Sequence, residues 1–317
     1  MNPEVSSSSS SMSPSAPVLG AEGRPRPTLK AWVMAIRPKT LTASLMPVSV
    51  GTGLAFGAGV GHWLPALAAL LGALLIQIGT NLTNDYYDFK KGADTSERLG
   101  PVRVTQSGLI APGTVLAAAL GCFGLAILSG IYLVWVGGWP IVAIGLTSVL
   151  CGYAYTGGPV PLAYHGLGDI FVFVFFGLVA VTGTYYVQAL TVSTAAWYAA
   201  IPVGSLGTAL LVVNNLRDAL TDVKANKRTL VVRLGTGAGK AEYLGLLAAA
   251  FATPFIMYGL GMASAWVFLA LLSIPLAVGP LKLVMGAQGA ALNAALGGTA
   301  RLQIVFGVLF ALGLYLR

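Results

Sequence analysis

Past residue 28 the chain alternates between long apolar runs and short polar connections. Nine apolar segments can be marked, near 40–60, 64–84, 113–135, 139–157, 167–188, 196–216, 241–262, 265–285 and 300–316. Each approaches the roughly 20 residues that a helix needs to cross a hydrocarbon core. The pattern therefore predicts an all-α membrane protein with nine transmembrane helices. Glycine and proline occur inside the runs, as membrane helices tolerate, and Gly121, Gly124 and Gly145 would let neighbouring helices approach closely. Residues 1–28 differ: they hold a serine run from Ser6 to Ser11, several prolines and few large apolar side chains. Such a segment cannot bury enough surface to fold, which predicts a disordered tail before one membrane domain over 29–317. The tail lacks the continuous apolar core of a secretory signal, while its Ser-rich, acid-poor character would also fit an organellar transit peptide.

The connections add an orientation. Lys and Arg precede the first run (Arg24, Arg26, Lys30, Arg37, Lys39) and fill the second connection (Lys90, Lys91, Arg98, Arg103). They recur between the sixth and seventh runs (Arg217, Lys224, Lys227, Arg228, Arg233, Lys240) and around the last connection (Lys282, Arg301). The alternate connections, near 61–63, 136–138, 189–195 and 260–264, contain none. By the positive-inside rule the N-terminus is expected in the cytoplasm, with only Arg317 falling on the far side. Composition agrees with a membrane class, since 56% of residues are hydrophobic and 9% charged, against about 25% charged in soluble domains. The net charge of +8 then reflects membrane orientation and contact with lipid, and no nucleic-acid partner is implied. Cys122 and Cys151 lie inside apolar runs without CxxC or His spacing and are expected as buried small side chains.

With only ten acidic residues, each one counts. Glu4 and Glu22 belong to the tail; Asp94, Glu97 and Glu242 are expected as solvated charges. The second apolar run ends in Asn81-Leu82-Thr83-Asn84-Asp85-Tyr86-Tyr87-Asp88, where a helix would project Asn81, Asp85 and Asp88 from one face. The sixth run ends in Asn214-Asn215-Leu216-Arg217-Asp218-Ala219-Leu220-Thr221-Asp222, aligning Asn215, Asp218 and Asp222 in the same way. Like charges on one face beside an apolar core repel, and a divalent cation relieves the cost. Oxygen-only ligands suit Mg²⁺, which bridges carboxylates to substrate phosphates. Lys90, Lys91, Arg98 and Arg103 follow the first set and Lys224, Lys227 and Arg228 the second, placing cations where phosphate oxygens would lie. Together they predict a metal-diphosphate site at the cytoplasmic end.

These residues resemble the UbiA superfamily of intramembrane prenyltransferases. The likeness narrows in Asn84-Asp85-Tyr86-Tyr87-Asp88-Phe89-Lys90-Lys91-Gly92 and in Gly100-Pro101-Val102-Arg103-Val104-Thr105-Gln106-Ser107-Gly108, which look like the 1,4-dihydroxy-2-naphthoate polyprenyltransferases of menaquinone synthesis. Asn214-Asn215-Leu216-Arg217-Asp218, Lys227-Arg228-Thr229-Leu230, Gly157-Gly158-Pro159 and Gly166-Leu167-Gly168-Asp169 carry the same likeness, which spans residues 30–316. Many superfamily members place a further aspartate where this chain has Gly92, a departure the naphthoate branch shares. The resemblance implies a UbiA-type bundle in a bacterial cytoplasmic (inner) membrane, with its active site facing the cytoplasm. It implies Mg²⁺ held by Asp85, Asp88, Asp218 and Asp222, and a polyprenyl diphosphate as donor. 1,4-Dihydroxy-2-naphthoate would attack the allylic cation and lose carbon dioxide, giving a demethylmenaquinone. Asn81, Asn84 and Asn215 would orient or complete the metal shell, and Lys91, Arg103, Lys227 and Arg228 would contact phosphate. Arg103 would alternatively hold the acceptor carboxylate.

Other residues keep two readings. Asp169 suits either a helix N-terminus or the site. Tyr153 and Tyr155 suit either an interfacial belt or a ring facing a developing cation. Gln77 would line the cavity or pack between helices, and His165 would be a surface histidine unless a partner orients it. Another aromatic acceptor, such as 4-hydroxybenzoate or homogentisate, would use the same motifs. A secondary transporter would also use intramembrane acids, but the outer half of this chain has no charge for a substrate to meet.

Overall fold

The computed structural model describes residues 27–93 and 99–316. Asp94, Glu97, Arg98 and nearly all of the expected tail lie outside the described residues. Every regular element within them is helical: α1 Leu29–Ile36, α2 Thr42–Gly57, α3 Trp63–Lys90, α4 Pro112–Gly137, α5 Trp139–Ala154 and α6 Gly168–Val172. They continue as α7 Ala180–Ala189, α8 Thr194–Lys224, α9 Leu230–Leu234, α10 Thr236–Gly259, α11 Ile274–Gly286 and α12 Leu292–Tyr315. A π-helical turn, Phe173–Val179, joins α6 to α7 into one span, and a 3-10 stretch, Ala265–Ser273, leads into α11.

Seven of these spans, among the described residues, are long and apolar enough to cross a membrane. An eighth arises if α1 and α2, bent by 50°, form one span. Helix α5 is apolar but has 16 residues, which leaves the expected ninth short. Helix α1 is an element the hydrophobic runs did not indicate. Thr28, expected in the tail, caps it by accepting a hydrogen bond from the Ala31 amide at 3.2 Å. It ends where Arg37 takes a left-handed conformation (φ 56°) before Pro38, whose ring cannot continue a helix.

Helix α8 is the centre of the bundle. In its most apolar window 78% of residues are buried, against 22–50% in the other spans. Its sequence explains this, for Ala199, Ala200, Gly204, Gly207 and Ala209 present little bulk and neighbours close in on all sides. At Gly177 an added Cβ would stand 2.6 Å from the Gly204 Cα, so the π-helical turn lies directly on α8. The main core joins α8, α10 and α12 through Tyr243, Phe306 and Phe310. A second, smaller core of Ala31, Ala35, Leu82, Val104, Ile110, Val115 and Ala119 fastens α1 and the 99–111 loop to α3 and α4.

The polar helix ends converge. Tyr164 reaches Asp88 at the end of α3, Asn215 near the end of α8 reaches Asp169 at the start of α6, and Arg217 reaches Asn293 at the start of α12. The other end of the bundle is joined by His62 to Gln188 and Tyr186 to Gly137, with no acidic side chain among them. Packing on α8 leaves no space for a side chain at Gly204. A Gly204→Val chain places Cβ 2.9 Å from the Phe173 carbonyl oxygen and should lose about 1–3 kcal/mol. A thermal midpoint in detergent lowered by several degrees is the expected reading; an unchanged midpoint would mean that the π-helical turn does not depend on this contact.

Candidate active site

Helix α3 delivers its polar residues in two directions. Asn81 donates from Nδ2 to the Ile36 carbonyl (2.8 Å) and to Thr40 Oγ1 (2.9 Å), fastening the α1–α2 bend. Asp85, 1% exposed, accepts the backbone amides of Val104 (3.3 Å) and Thr105 (2.9 Å), fastening the 99–111 loop. Each Asp85 oxygen thus accepts one main-chain amide. Asn84 and Asp88, four residues apart, form the other flank. Asn84 Oδ1 is buried with no hydrogen-bond partner. Asp88 accepts from Arg103 Nη2 (3.2 Å) and from the Tyr164 hydroxyl (2.8 Å).

Helix α8 supplies the opposing set. Asp218 is held by Arg217 through Nε (2.8 Å) and Nη2 (2.6 Å). Arg217 is buried and reaches Asn293 Oδ1 at 3.0 Å, while Asn293 donates to the Leu99 carbonyl at 2.8 Å. Asp222, also buried, stands 3.7 Å from Lys227 Nζ. Asn215 approaches Asp169 at 3.4 Å, and Asp169 is buried, with Leu167 rather than Asp169 at the helix cap. Burial beside Asn215 aligns Asp169 with the polar cluster.

Tyr164 links the two sets. Its hydroxyl is on Asp88, and Lys91 Nζ (4.6 Å) and Lys227 Nζ (5.9 Å) both lie over its ring. Lys91 donates to the Thr156 carbonyl at 2.7 Å. Partial burial pushes its ammonium below the usual lysine range, and the Asp88 charge acts in the opposite direction. The Arg228 amide donates to the Tyr164 carbonyl, and Lys91, Arg228 and Arg233 line a cavity with Tyr164 and His165. Tyr155 stands within electrostatic reach of Asp169, Asp88 and Asp222.

Of the residues singled out by sequence, the fold therefore gathers Asp88, Arg103, Lys91, Lys227, Asp222, Arg228 and Tyr155. Asn81 and Asp85 are turned to loop fastening. Tyr164 and Asn293 were missed: one sits in a short loop between two glycine-rich turns, and the other begins α12, so only proximity in space reveals either. Among the described residues no three His, Cys, Asp or Glu side chains enclose a metal ion by themselves. The donors present are hard oxygens on two facing helices, and the buried Asn84 oxygen lacks a partner. That set fits a cation that completes its shell with water and phosphate, as Mg²⁺ does.

The bundle also holds apolar cavities. One chamber of about 120 Å³ is lined by Gln77, Thr80, Tyr155, Phe171 and Phe175. A second, of about 320 Å³, shares Ala73, Ile76, Ser148, Phe175 and Ala180 with the first and continues to Val134, Ile141 and Val187.

Residues 44–290 match the UbiA prenyltransferase family. A 1,4-dihydroxy-2-naphthoate octaprenyltransferase of Mycobacterium tuberculosis is 41% identical over 79% of this chain and 86% of its own length. The protein of that name from Escherichia coli is 37% identical over 90% of this chain and 96% of its own. Among solved structures, a UbiA homolog from Archaeoglobus fulgidus bound to DMAPP and Mg²⁺ superimposes with a TM-score of 0.61. It covers 87% of this chain and 97% of its own, and its 15% identity makes that a likeness of fold.

Two hydrogen bonds to one buried carboxylate hold the 99–111 loop, each worth about 1.5–3 kcal/mol. Replacing Asp85 with Ala should free the loop and make the bond after Arg103 a site of rapid tryptic cleavage. Cleavage no faster than in the unaltered protein would show that the small apolar core holds the loop unaided.

Proposed function

The chain belongs to the UbiA prenyltransferase family, and from that premise we propose how its polar end and apolar cavity divide the work of one reaction. The protein transfers a polyprenyl group from a polyprenyl diphosphate to 1,4-dihydroxy-2-naphthoate. Relatives carrying that activity in their names, at 34–41% identity over most of the chain, support the acceptor. The observation that carries the reading is the presence in one bundle of paired acids and bases at the converging helix ends and of two apolar cavities that share wall residues. A diphosphate with a long hydrocarbon tail has that same division.

In this reading nine helices cross the cytoplasmic membrane of a bacterium, with α5 as a short ninth and the N-terminus inside. The polar end faces the cytoplasm, a reading the Lys and Arg pattern supports. Asp88, Asp218 and Asp222, with Asn84, hold Mg²⁺; Asp85 positions the loop that brings Arg103 to Asp88. Mg²⁺, when bound, neutralises the diphosphate and makes it a better leaving group. Lys91, Lys227 and Arg228 bind its oxygens, and Arg103 and Arg217 take up or release the carboxylates as metal and substrate come and go. The larger chamber holds the prenyl chain and keeps water from the allylic carbon. Tyr155, on the wall of the smaller chamber, offers its ring to the developing positive charge.

The electrons balance without a further reactant. The C–O bond to diphosphate breaks and its pair leaves with the diphosphate. A ring π pair forms the bond to the allylic carbon at the carboxylate-bearing position. Carbon dioxide departs, and the pair from its C–C bond restores the aromatic ring, so the product is the quinol form of a demethylmenaquinone.

Purified protein in lipid nanodiscs should release labelled carbon dioxide from carboxyl-labelled 1,4-dihydroxy-2-naphthoate when given polyprenyl diphosphate and Mg²⁺. Asp88→Ala and Asp222→Ala should each lower kcat by about a hundredfold or more. Turnover with 4-hydroxybenzoate but not the naphthoate would replace the acceptor, and no turnover with any aromatic acceptor would return the transporter reading.

A further inference from the structure

Gln77 lies on α3 one turn before Asn81 and is 7% exposed. The two amides form a chain whose direction is fixed at its far end. The Ile36 carbonyl can only accept, so the Asn81 atom 2.8 Å from it is the donor Nδ2. Asn81 Oδ1 therefore faces the other way, where it accepts from Gln77 Nε2 at 3.3 Å. That same Nε2 reaches Thr40 Oγ1 at 3.5 Å. Gln77 Oε1 is left over: it is buried and has no hydrogen-bond partner in the protein. A buried amide oxygen without a donor is costly. It belongs to a residue that lines the smaller chamber, together with Tyr155, Phe171 and Phe175. The rings of Phe171 and Phe175 stack 5.8 Å apart at 9°, giving that chamber a flat aromatic wall.

We propose that Gln77 Oε1 accepts a hydrogen bond from a ring hydroxyl of the aromatic acceptor, making Gln77 a determinant of acceptor specificity. The proposal deepens the transfer reaction proposed above and rests on it. An oxygen that can only accept selects a ligand that donates. The prenyl tail has no polar hydrogen, and a carboxylate or fully ionised diphosphate presents only acceptor oxygens. Of the groups the reaction brings in, the ring hydroxyls alone can donate. The aromatic wall favours a flat ring in offset contact, which would bring a naphthalene past Phe171 and Phe175 with its hydroxyl toward α3. As the ring attacks the allylic carbon, positive charge spreads to the hydroxyl oxygen and its O–H becomes a stronger donor. The hydrogen bond to Gln77 is then worth more in the transition state than in the bound ground state. No proton is transferred in this step.

The test is a cycle between enzyme and ligand in nanodiscs, with KM for 1,4-dihydroxy-2-naphthoate and competitive inhibition by 2-naphthoate, which lacks both hydroxyls. In the unaltered protein the dihydroxy compound should bind about three- to tenfold better. Gln77→Met, which fills the same space without an acceptor, should remove that gap and leave KM for polyprenyl diphosphate unchanged. Thr40→Val, which leaves the Gln77 amide intact, should retain the gap. A gap that survives in Gln77→Met, or that Thr40→Val also loses, would overturn the proposal and leave Gln77 as a packing residue or a holder of water. Absence of turnover in the unaltered protein would instead remove the acceptor assignment itself.

Discussion

Cations stand beside the carboxylates at the end of this apolar bundle: Asp88, Asp218 and Asp222 have Arg103, Arg217 and Lys227 at 2.6–3.7 Å. The Asp88 pair ties the end of α3 to a separate loop, whereas the two α8 pairs are local in sequence. Arg103 belongs to the 99–111 loop, and Arg217 is itself held by Asn293 of α12. The compensation of charge thus organises this end of the molecule. A metal ion or a diphosphate would enter as a change of partners among charges already paired, rather than as the arrival of charge in an unprepared pocket.

The rest of the bundle supports that network by keeping water and bulk away from it. Helix α8 packs through alanine and glycine, which brings α6 and the π-helical turn against it and aligns Asp169 with Asn215. The wider π turn lies beside the aromatic pair Phe171 and Phe175 on the chamber wall. Polar and apolar functions therefore meet at a single level, marked by Tyr155 and Gln77, and the proposed chemistry takes place there.

Much of the site was legible in the order of residues. The two Asn/Asp sets stand out because acids are so scarce in the chain, and the basic residues after each are close in sequence to what they contact, as with Lys227 and Asp222. Less legible was the direction each α3 side chain takes. Asn81, Asp85 and Asp88 share a helix face by spacing, yet Asn81 meets the α1–α2 bend, Asp85 meets main-chain amides of the 99–111 loop, and Asp88 meets Arg103 of that loop and Tyr164.

Hydropathy and charge alone thus determined a helical membrane protein, its two acid-bearing helix ends and the cations near them, because burial in lipid imposes long apolar runs and leaves charge only where it has a use. Only the tertiary structure decided which flank of α3 faces the cavity, that α5 is short, that Tyr164 and Asn293 join the polar cluster, and that the Gln77 carbonyl oxygen is left without a partner. The reason is rotational: where a helix end is polar on every side, periodicity no longer sets its orientation, and the neighbours packed against it do.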